Sequence, residues 1–419
     1  MLKKILTTAI FLFLLAGCGG GSGGDEIVRW EEPPDQERSL NIAGIDNSNS
    51  GVRDDIEAYI IKNYSNQQQK NALLQFAKVV QDSLSVDTAN ATAVQAIDER
   101  DSRALHCIFY TFGSDTKSAS TAWRKIRSLS TNTITRLTAY IKFNSAIDGT
   151  TSILPEENTC DSIDTQTLNP TKGTVIAFFN GILNTKQDAK DALEHLKNFY
   201  GKTDTVSYEL VYNDSHDFYS NAIEIFKARL GNSGQYELYF DILNDGSWYS
   251  NFLNAAIAWL NDVSGKISND LAILLQNPPT TISSGHQARI NYWLNNSKKV
   301  VFLAHSHGNL FADAAYNNNR AYSASLKVVH LAPVSVETNG AHVLAFEDGV
   351  INALYKETDA AKPEATHHIP PYLLRLAGAN GKRDTLGHGF VEIYINTTHL
   401  WGGLSSGVRE RINEAISSI

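Results

Sequence analysis

The sequence is short of basic residues: 36 Lys and Arg stand against 45 Asp and Glu in 419 residues, a net charge of −9. No basic stripe is interleaved with aromatics, which argues against nucleic acid as a partner. No internal repeat is visible, which argues against stacked-repeat architectures. Cysteine is scarce, with three in the whole chain. What is present is ordinary for a globular protein, with 42% hydrophobic and 19% charged residues. A chain of this length can hold a large α/β core with sizeable additions.

The N-terminus carries a targeting pattern. Lys3 and Lys4 precede an apolar run at residues 5–15, which has the n-region and h-region of a secretory signal and is too short to span a bilayer. The run ends in Leu15-Ala16-Gly17-Cys18, which resembles the lipobox of bacterial lipoproteins. That resemblance implies removal of residues 1–17 as a signal peptide, acylation of Cys18, and attachment to the cell envelope through lipid chains. Gly19 follows the cysteine in place of Asp, which resembles outer-membrane sorting. Removing residues 1–17 takes away two lysines and no acids, so the mature chain is more acidic still. Lipid, not electrostatic attraction to anionic headgroups, is then what holds it to the membrane.

With Cys18 used in this way, Cys107 and Cys160 remain. Outside the cytoplasm two cysteines can pair, because disulfides persist in an oxidising compartment. A buried thiol and a loop thiol are the other outcome, and the sequence leaves both open.

Residues 18–50 are rich in Gly, Ser, Asn, Asp and Pro and read as a flexible tether. Residues 51–150 then turn helical. Ile56, Tyr59, Ile60 and Tyr64 fall at spacings of three and four, as do Leu73, Phe76, Ala77 and Val80. Further amphipathic segments cover about 104–112 and 122–147. Acid and histidine pairs do not recur on these faces, which makes the region a packed helical preamble, not a cofactor bundle.

From residue 171 the texture changes to α/β. Residues 173–181 form an apolar run closed by turn residues, 188–200 read as helix and 206–212 as a second strand. Residues 215–280 are aromatic-rich and mostly helical, an insertion or lid over the site, or a covering layer. Alternation then resumes with a helix at 288–295, strands at 299–303, 326–333 and 343–346, a helix between the first two at 310–316, and a last helix at 408–419. The pattern predicts a mostly parallel sheet flanked by helices.

Ser306 lies between the strand at 299–303 and the helix at 310–316, within Ala304-His305-Ser306-His307-Gly308. A nucleophilic serine at such a junction needs small neighbours two residues away on each side, because the chain must turn sharply from strand to helix. Ala304 and Gly308 occupy those places. Here the chain resembles the α/β-hydrolase superfamily, and its elbow is similar to that of bacterial lipases with Ala in the first position.

The resemblance covers about 171–419 and implies a catalytic triad in the order Ser, acid, His. Asp348, after the strand at 343–346 and before Gly349, is the first choice for the acid, with Glu347 and Glu337 as alternatives. His388, in Gly387-His388-Gly389, is the first choice for the base, and His399 is the competitor. The backbone N–H of His307 and the strand end at Asn180-Gly181, with Gly181 allowing close approach, are the candidate oxyanion hole.

His305 and His307 flank the serine without helical spacing or a nearby Cys or acid to complete a metal set. They read as packing and substrate-side polarity. His367 and His368, before two prolines, read as loop. No metal or cofactor is implied. The expected activity is therefore cleavage of an ester or lipid by a serine hydrolase on a lipid anchor, though thioesterases, peptidases and acyltransferases use the same triad. A surface lipoprotein keeping the fold as a binding scaffold, or a helical region that recruits a partner, are the rival expectations.

Overall fold

The computed structural model describes residues 36–161, 172–214 and 279–419, apart from 182–183, 336–337, 358–361, 372–373, 385 and 400–401, together with Ile223, Tyr236 and Tyr239. The signal peptide, Cys18, most of the tether, Glu337 and nearly all of 215–280 lie outside the described residues.

Among the described residues five helices come first: α1 (Asp54–Asn63), α2 (Gln67–Ser85), α3 (Ala91–Phe112), α4 (Thr116–Ser130) and α5 (Ile134–Ala146). Polar side chains start four of them. Asn66, Asn90, Asp115 and Thr133 each accept a backbone N–H from the first turn that follows, which satisfies donors a helix cannot satisfy itself. The residues at three and four spacing in α2, from Leu73 to Val80, are all buried. A disulfide joins Cys107 on α3 to Cys160.

The expected tether is corrected in its second half. Residues 36–50 lack regular structure, but they are fixed against the helices. Arg136, fully buried, donates to the carbonyls of Glu37, Asn41 and Ile42 and pairs with the Glu37 carboxylate. Asp46 accepts from the backbone of Ser50 and Gly51. A buried guanidinium needs partners on all its donors, and this segment supplies most of them, with Asn132 accepting as well.

A six-stranded sheet follows, of β1 (Thr151–Ile153), β2 (Thr174–Phe179), β3 (Val206–Val211), β4 (Lys299–His305), β5 (Leu326–Leu331) and β6 (Ala341–Val343). Its order is β1-β3-β2-β4-β5-β6, with β1 antiparallel to β3 and every other pair parallel. The protein is of the α/β class. Among the described residues the α-helices between and after the strands are α6 (Lys186–Tyr200), α7 (Ser284–Asn295), α8 (Gly308–Asn318), α9 (Gly349–Glu357) and α10 (Leu404–Ser417).

Both faces of the sheet are covered, so β2 and β3 are buried throughout. Ile176 and Phe178 face one layer, which contains α6, α10 and the N-terminal helices in one continuous core. Val175, Ala177 and Phe179 face the other layer, with α7 and α8. Alternate residues of a strand point to opposite faces, so a continuous apolar run is what a doubly covered strand requires.

Several bounds differ from the sequence expectation: the segment expected at 122–147 is split into α4 and α5, and α3, α7 and α10 each begin earlier than expected. The last strand is Ala341–Val343, not 343–346; the chain leaves the sheet, Phe346 donates its N–H to His367 and its side chain is 47% exposed. The helix expected from residue 188 begins at Lys186, where Thr185 and Asp188 form a reciprocal capping box.

The interface between α6 and the N-terminal helices is ionic. Lys186 and Lys190 on α6 reach Asp98 at 2.7 Å each, and Lys190 reaches Asp101 at 2.8 Å. Asp188 pairs with Arg127 at 2.8 Å. Asp191 accepts from Trp123 and Ser120, and Glu194 pairs with His106. All of these groups are buried. The Lys186 and Lys190 ammoniums beside it hold the Asp98 carboxyl down at about 2, against the burial that opposes its charge.

In this order the direction of strand addition reverses at β2. The chain goes from β2 to β3 on one side and later to β4 on the other, so the carboxyl ends of β2 and β4 bracket a topological switch point. Among the described residues no helix is long and apolar enough to cross a membrane.

Candidate active site

Ser306 follows β4 at this switch point with φ +54°, a left-handed conformation costly for a residue with a Cβ. Three contacts hold it there. Its N–H donates to Leu331 at the end of β5. The Asn309 amide donates to the Ser306 and Leu331 carbonyls at 2.6 and 2.9 Å, and His330 Nδ1 lies 2.8 Å from the Asn309 amide oxygen. Gly308 lets α8 start directly on β2, since a Cβ there would lie 2.5 Å from the Asn180 carbonyl oxygen and 2.6 Å from that of Phe179.

The Ser306 hydroxyl lies 2.8 Å from His388 Nε2. On the other side of the ring, His388 Nδ1 is 3.0 and 2.9 Å from the two Asp348 carboxylate oxygens. A carboxylate can only accept, which places the proton on Nδ1 and leaves Nε2 to accept from the serine. Asp348 is fully buried and is satisfied further by the Ile351 N–H at 3.0 Å and the Tyr394 hydroxyl at 2.9 Å. Burial opposes a charge on His388, but the Asp348 carboxylate, its hydrogen bond and the Asp384 carboxylate together raise the imidazole above its ordinary value.

The structure thus brings together Ser306, His388 and Asp348. Among the described residues it does not bring their competitors to the serine. Glu347 accepts from His368 Nδ1 at 2.7 Å and from the Ile369 N–H, fixing a loop. His399 Nε2 accepts the Leu376 N–H at 3.0 Å. His368 stacks on Phe346.

Gly181, two residues past β2, lies beside the elbow: a Cβ there would lie 2.7 Å from His305 Nδ1 and 3.1 Å from the Ser306 Cβ. Its carbonyl accepts from the amides of Asn180 and Asn184, both at 3.0 Å. His307 stands at the start of α8 with φ −57° and ψ −26°, its ring edge-on to Phe311 and pushed down to about 4 by burial. The backbone of Gly181 thus passes close to Ser306, and His307 follows it in the chain.

Three residues at the site were not legible as such. His305, expected to serve packing and substrate-side polarity, does pack, with its ring 5.0 Å from the His388 ring, and its Nε2 also donates to the His388 carbonyl at 2.8 Å, which the sequence does not show. Burial, with His388 adjacent, pushes it down to about 3, so it stays neutral. Tyr394 holds Asp348 from a π-helical turn, Phe390–Tyr394, which no periodicity announces. Asp384 accepts the N–H groups of Leu386, His388 and Gly389 at 2.7, 2.5 and 2.5 Å. An acid four residues before the histidine was the only available signal. Among the described residues no group of three or more His, Cys, Asp or Glu side chains is placed to hold a metal.

No family model, curated protein or solved structure matches this chain.

The arrangement has the parts acyl transfer needs: a hydroxyl, a base within hydrogen-bond reach, and an acid that orients the base. The site is also largely buried, with Ser306 1% exposed, and burial strengthens its electrostatic contacts.

Proposed function

We propose that the chain is a serine hydrolase of the α/β-hydrolase type that cleaves carboxylic esters, lipid among them, and is held to the bacterial envelope, at the outer membrane, by acylated Cys18. The observation that carries this reading is the unbroken hydrogen-bonded line from Ser306 through His388 to Asp348 at the switch point of the sheet.

In this mechanism the Ser306 oxygen attacks the ester carbonyl while His388 Nε2 takes its proton. The resulting imidazolium is stabilised by Asp348, whose charge Tyr394 and the Ile351 N–H hold in place. The tetrahedral oxyanion is met by the His307 N–H and by the backbone at Gly181, donors fixed before the charge appears. His388 then protonates the leaving alcohol. A water, deprotonated by the same imidazole, resolves the acyl-enzyme. Neighbouring His305 is neutral and donates to a carbonyl, so it does not compete for the proton.

The test uses the mature chain without its acylated cysteine, a fluorophosphonate probe, and p-nitrophenyl esters of increasing acyl length. Labelling and turnover that disappear in Ser306→Ala support the hydrolase, and the chain-length profile separates esterase from lipase. A folded protein that neither labels nor turns over overturns it in favour of a binding scaffold.

A further inference from the structure

The loop that carries His388 is built partly on the N-terminal helices. Thr116 and Arg124, both on α4, donate to the carbonyls of Ala379 and Asn380 at 3.1 and 2.6 Å. Gly381, at φ +80°, lies so close to α4 that a Cβ would sit 2.9 Å from Lys117 Cγ. The turn at 378–382 is closed by Gly378 and Lys382, and it rests on the π-helical turn. A Cβ at Gly378 would be 2.7 Å from the Glu392 Cα, and the Asn380 amide donates to Glu392 at 2.7 Å.

From there the contacts run straight to the base. The Glu392 carboxylate packs on Gly389, the residue after His388. Asp384 gathers the N–H groups of Leu386, His388 and Gly389. One carboxylate taking three N–H groups fixes the path of the backbone, and charge-assisted bonds of this kind are the strong ones. Arg124 is one end of this line and His388 the other.

We propose that Arg124 and Asp384 are positioning residues for His388: the N-terminal helices clamp the histidine loop, which makes them part of the catalytic apparatus and not a separate recruiting module. This rests on the hydrolase reading above. The clamp acts on geometry, since Arg124 touches neither the serine nor the imidazole among the described residues. A displacement of about 1 Å at a catalytic group costs on the order of 10²-fold in rate.

The experiment compares the mature full chain with Arg124→Ala, Arg124→Lys and Asp384→Asn. It measures kcat and KM on p-nitrophenyl butyrate, the pH profile of kcat/KM, and amide hydrogen exchange across residues 379–389. Arg124→Ala should lower kcat by about ten- to a hundredfold with KM nearly unchanged, and Arg124→Lys should recover part of it. Both Arg124→Ala and Asp384→Asn should speed exchange in 379–389 and leave exchange in β4 and β5 unchanged. Asp384→Asn should also move the acid limb of the profile to lower pH, because it removes one of the charges that raise His388.

Folded variants with wild-type kcat and wild-type exchange overturn the proposal and leave the triad standing. A wild-type protein without turnover sinks the triad instead, while the exchange measurement still decides whether the clamp exists. If Arg124→Ala does not fold, Arg124→Gln takes its place with the same expectations.

Discussion

Replacing Asp348 by Asn tests the electrostatics of the site most sharply. His305 and His388 are neighbours with rings 5.0 Å apart, and both are largely buried. Burial, with His388 adjacent, pushes His305 down to about 3 although the Asp348 charge acts the other way. His388 is raised, although burial acts on it in the same direction. The main difference is the direct contact of His388 Nδ1 with the Asp348 carboxylate, to which the Asp384 charge adds. In Asp348→Asn the ring loses that partner, and the amide can donate to Nδ1, which puts the proton on Nε2 where the serine needs an acceptor. The expected loss in kcat is about 10⁴-fold, or roughly 5 kcal/mol of transition-state stabilisation.

The pH profile carries the sign. In the proposed mechanism His388 must be neutral to take the serine proton, so wild-type activity is expected to fall as pH drops through an imidazole value raised above 6.5. With Asp348 gone, burial still acts and only the Asp384 charge opposes it, so the acid limb moves to lower pH than in the wild type, each pH unit of movement representing about 1.4 kcal/mol. Fluorophosphonate labelling rates from pH 4 to 9 read both quantities. A folded Asp348→Asn that loses less than about tenfold, or whose acid limb stays where the wild type has it, refutes this reasoning.

Two further outcomes are expected. Gly308→Ala places a Cβ 2.5 Å from one backbone carbonyl oxygen and 2.6 Å from another, so α8 must move; urea unfolding should show a loss of about 1–3 kcal/mol, and an unchanged midpoint would contradict the close approach of α8 to β2. Lys190→Met removes a cation from between Asp98 and Asp101, leaving a buried carboxylate short of a partner; the expected loss is about 3–5 kcal/mol, and a loss under about 1 kcal/mol would mean that the interface of α6 with the helical layer is not ionic in the sense described.

How much of this was legible in the sequence follows from how local each feature is. β2 and β4 are continuous apolar runs covered on both faces, and such runs stand out. Ser306 was visible because Ala304 and Gly308 sit at fixed offsets from it, and Gly308 turns out to be demanded by the carbonyls of β2. His388 and Asp348 needed chain order in addition to local pattern.

Features that depend on distant partners were not legible. The segment 36–50 has the composition of a tether, and what holds part of it is Arg136, about a hundred residues further on. The charges of α6 look like a solvated face until Asp98, Asp101 and Arg127 are placed against them. β1 is three residues long and pairs with a strand nearly sixty residues away. Tyr394 and Asp384 act through contacts that no spacing encodes.

The central claim is that Ser306 is a nucleophile activated by His388. Fluorophosphonate labelling of the intact mature protein, followed by mass spectrometry of the modified peptide, tests it most directly. The account predicts one adduct, on Ser306, formed faster as pH rises through the His388 value and absent in Ser306→Ala and His388→Ala. Labelling that persists in folded Ser306→Ala, or an adduct on another residue, would contradict it.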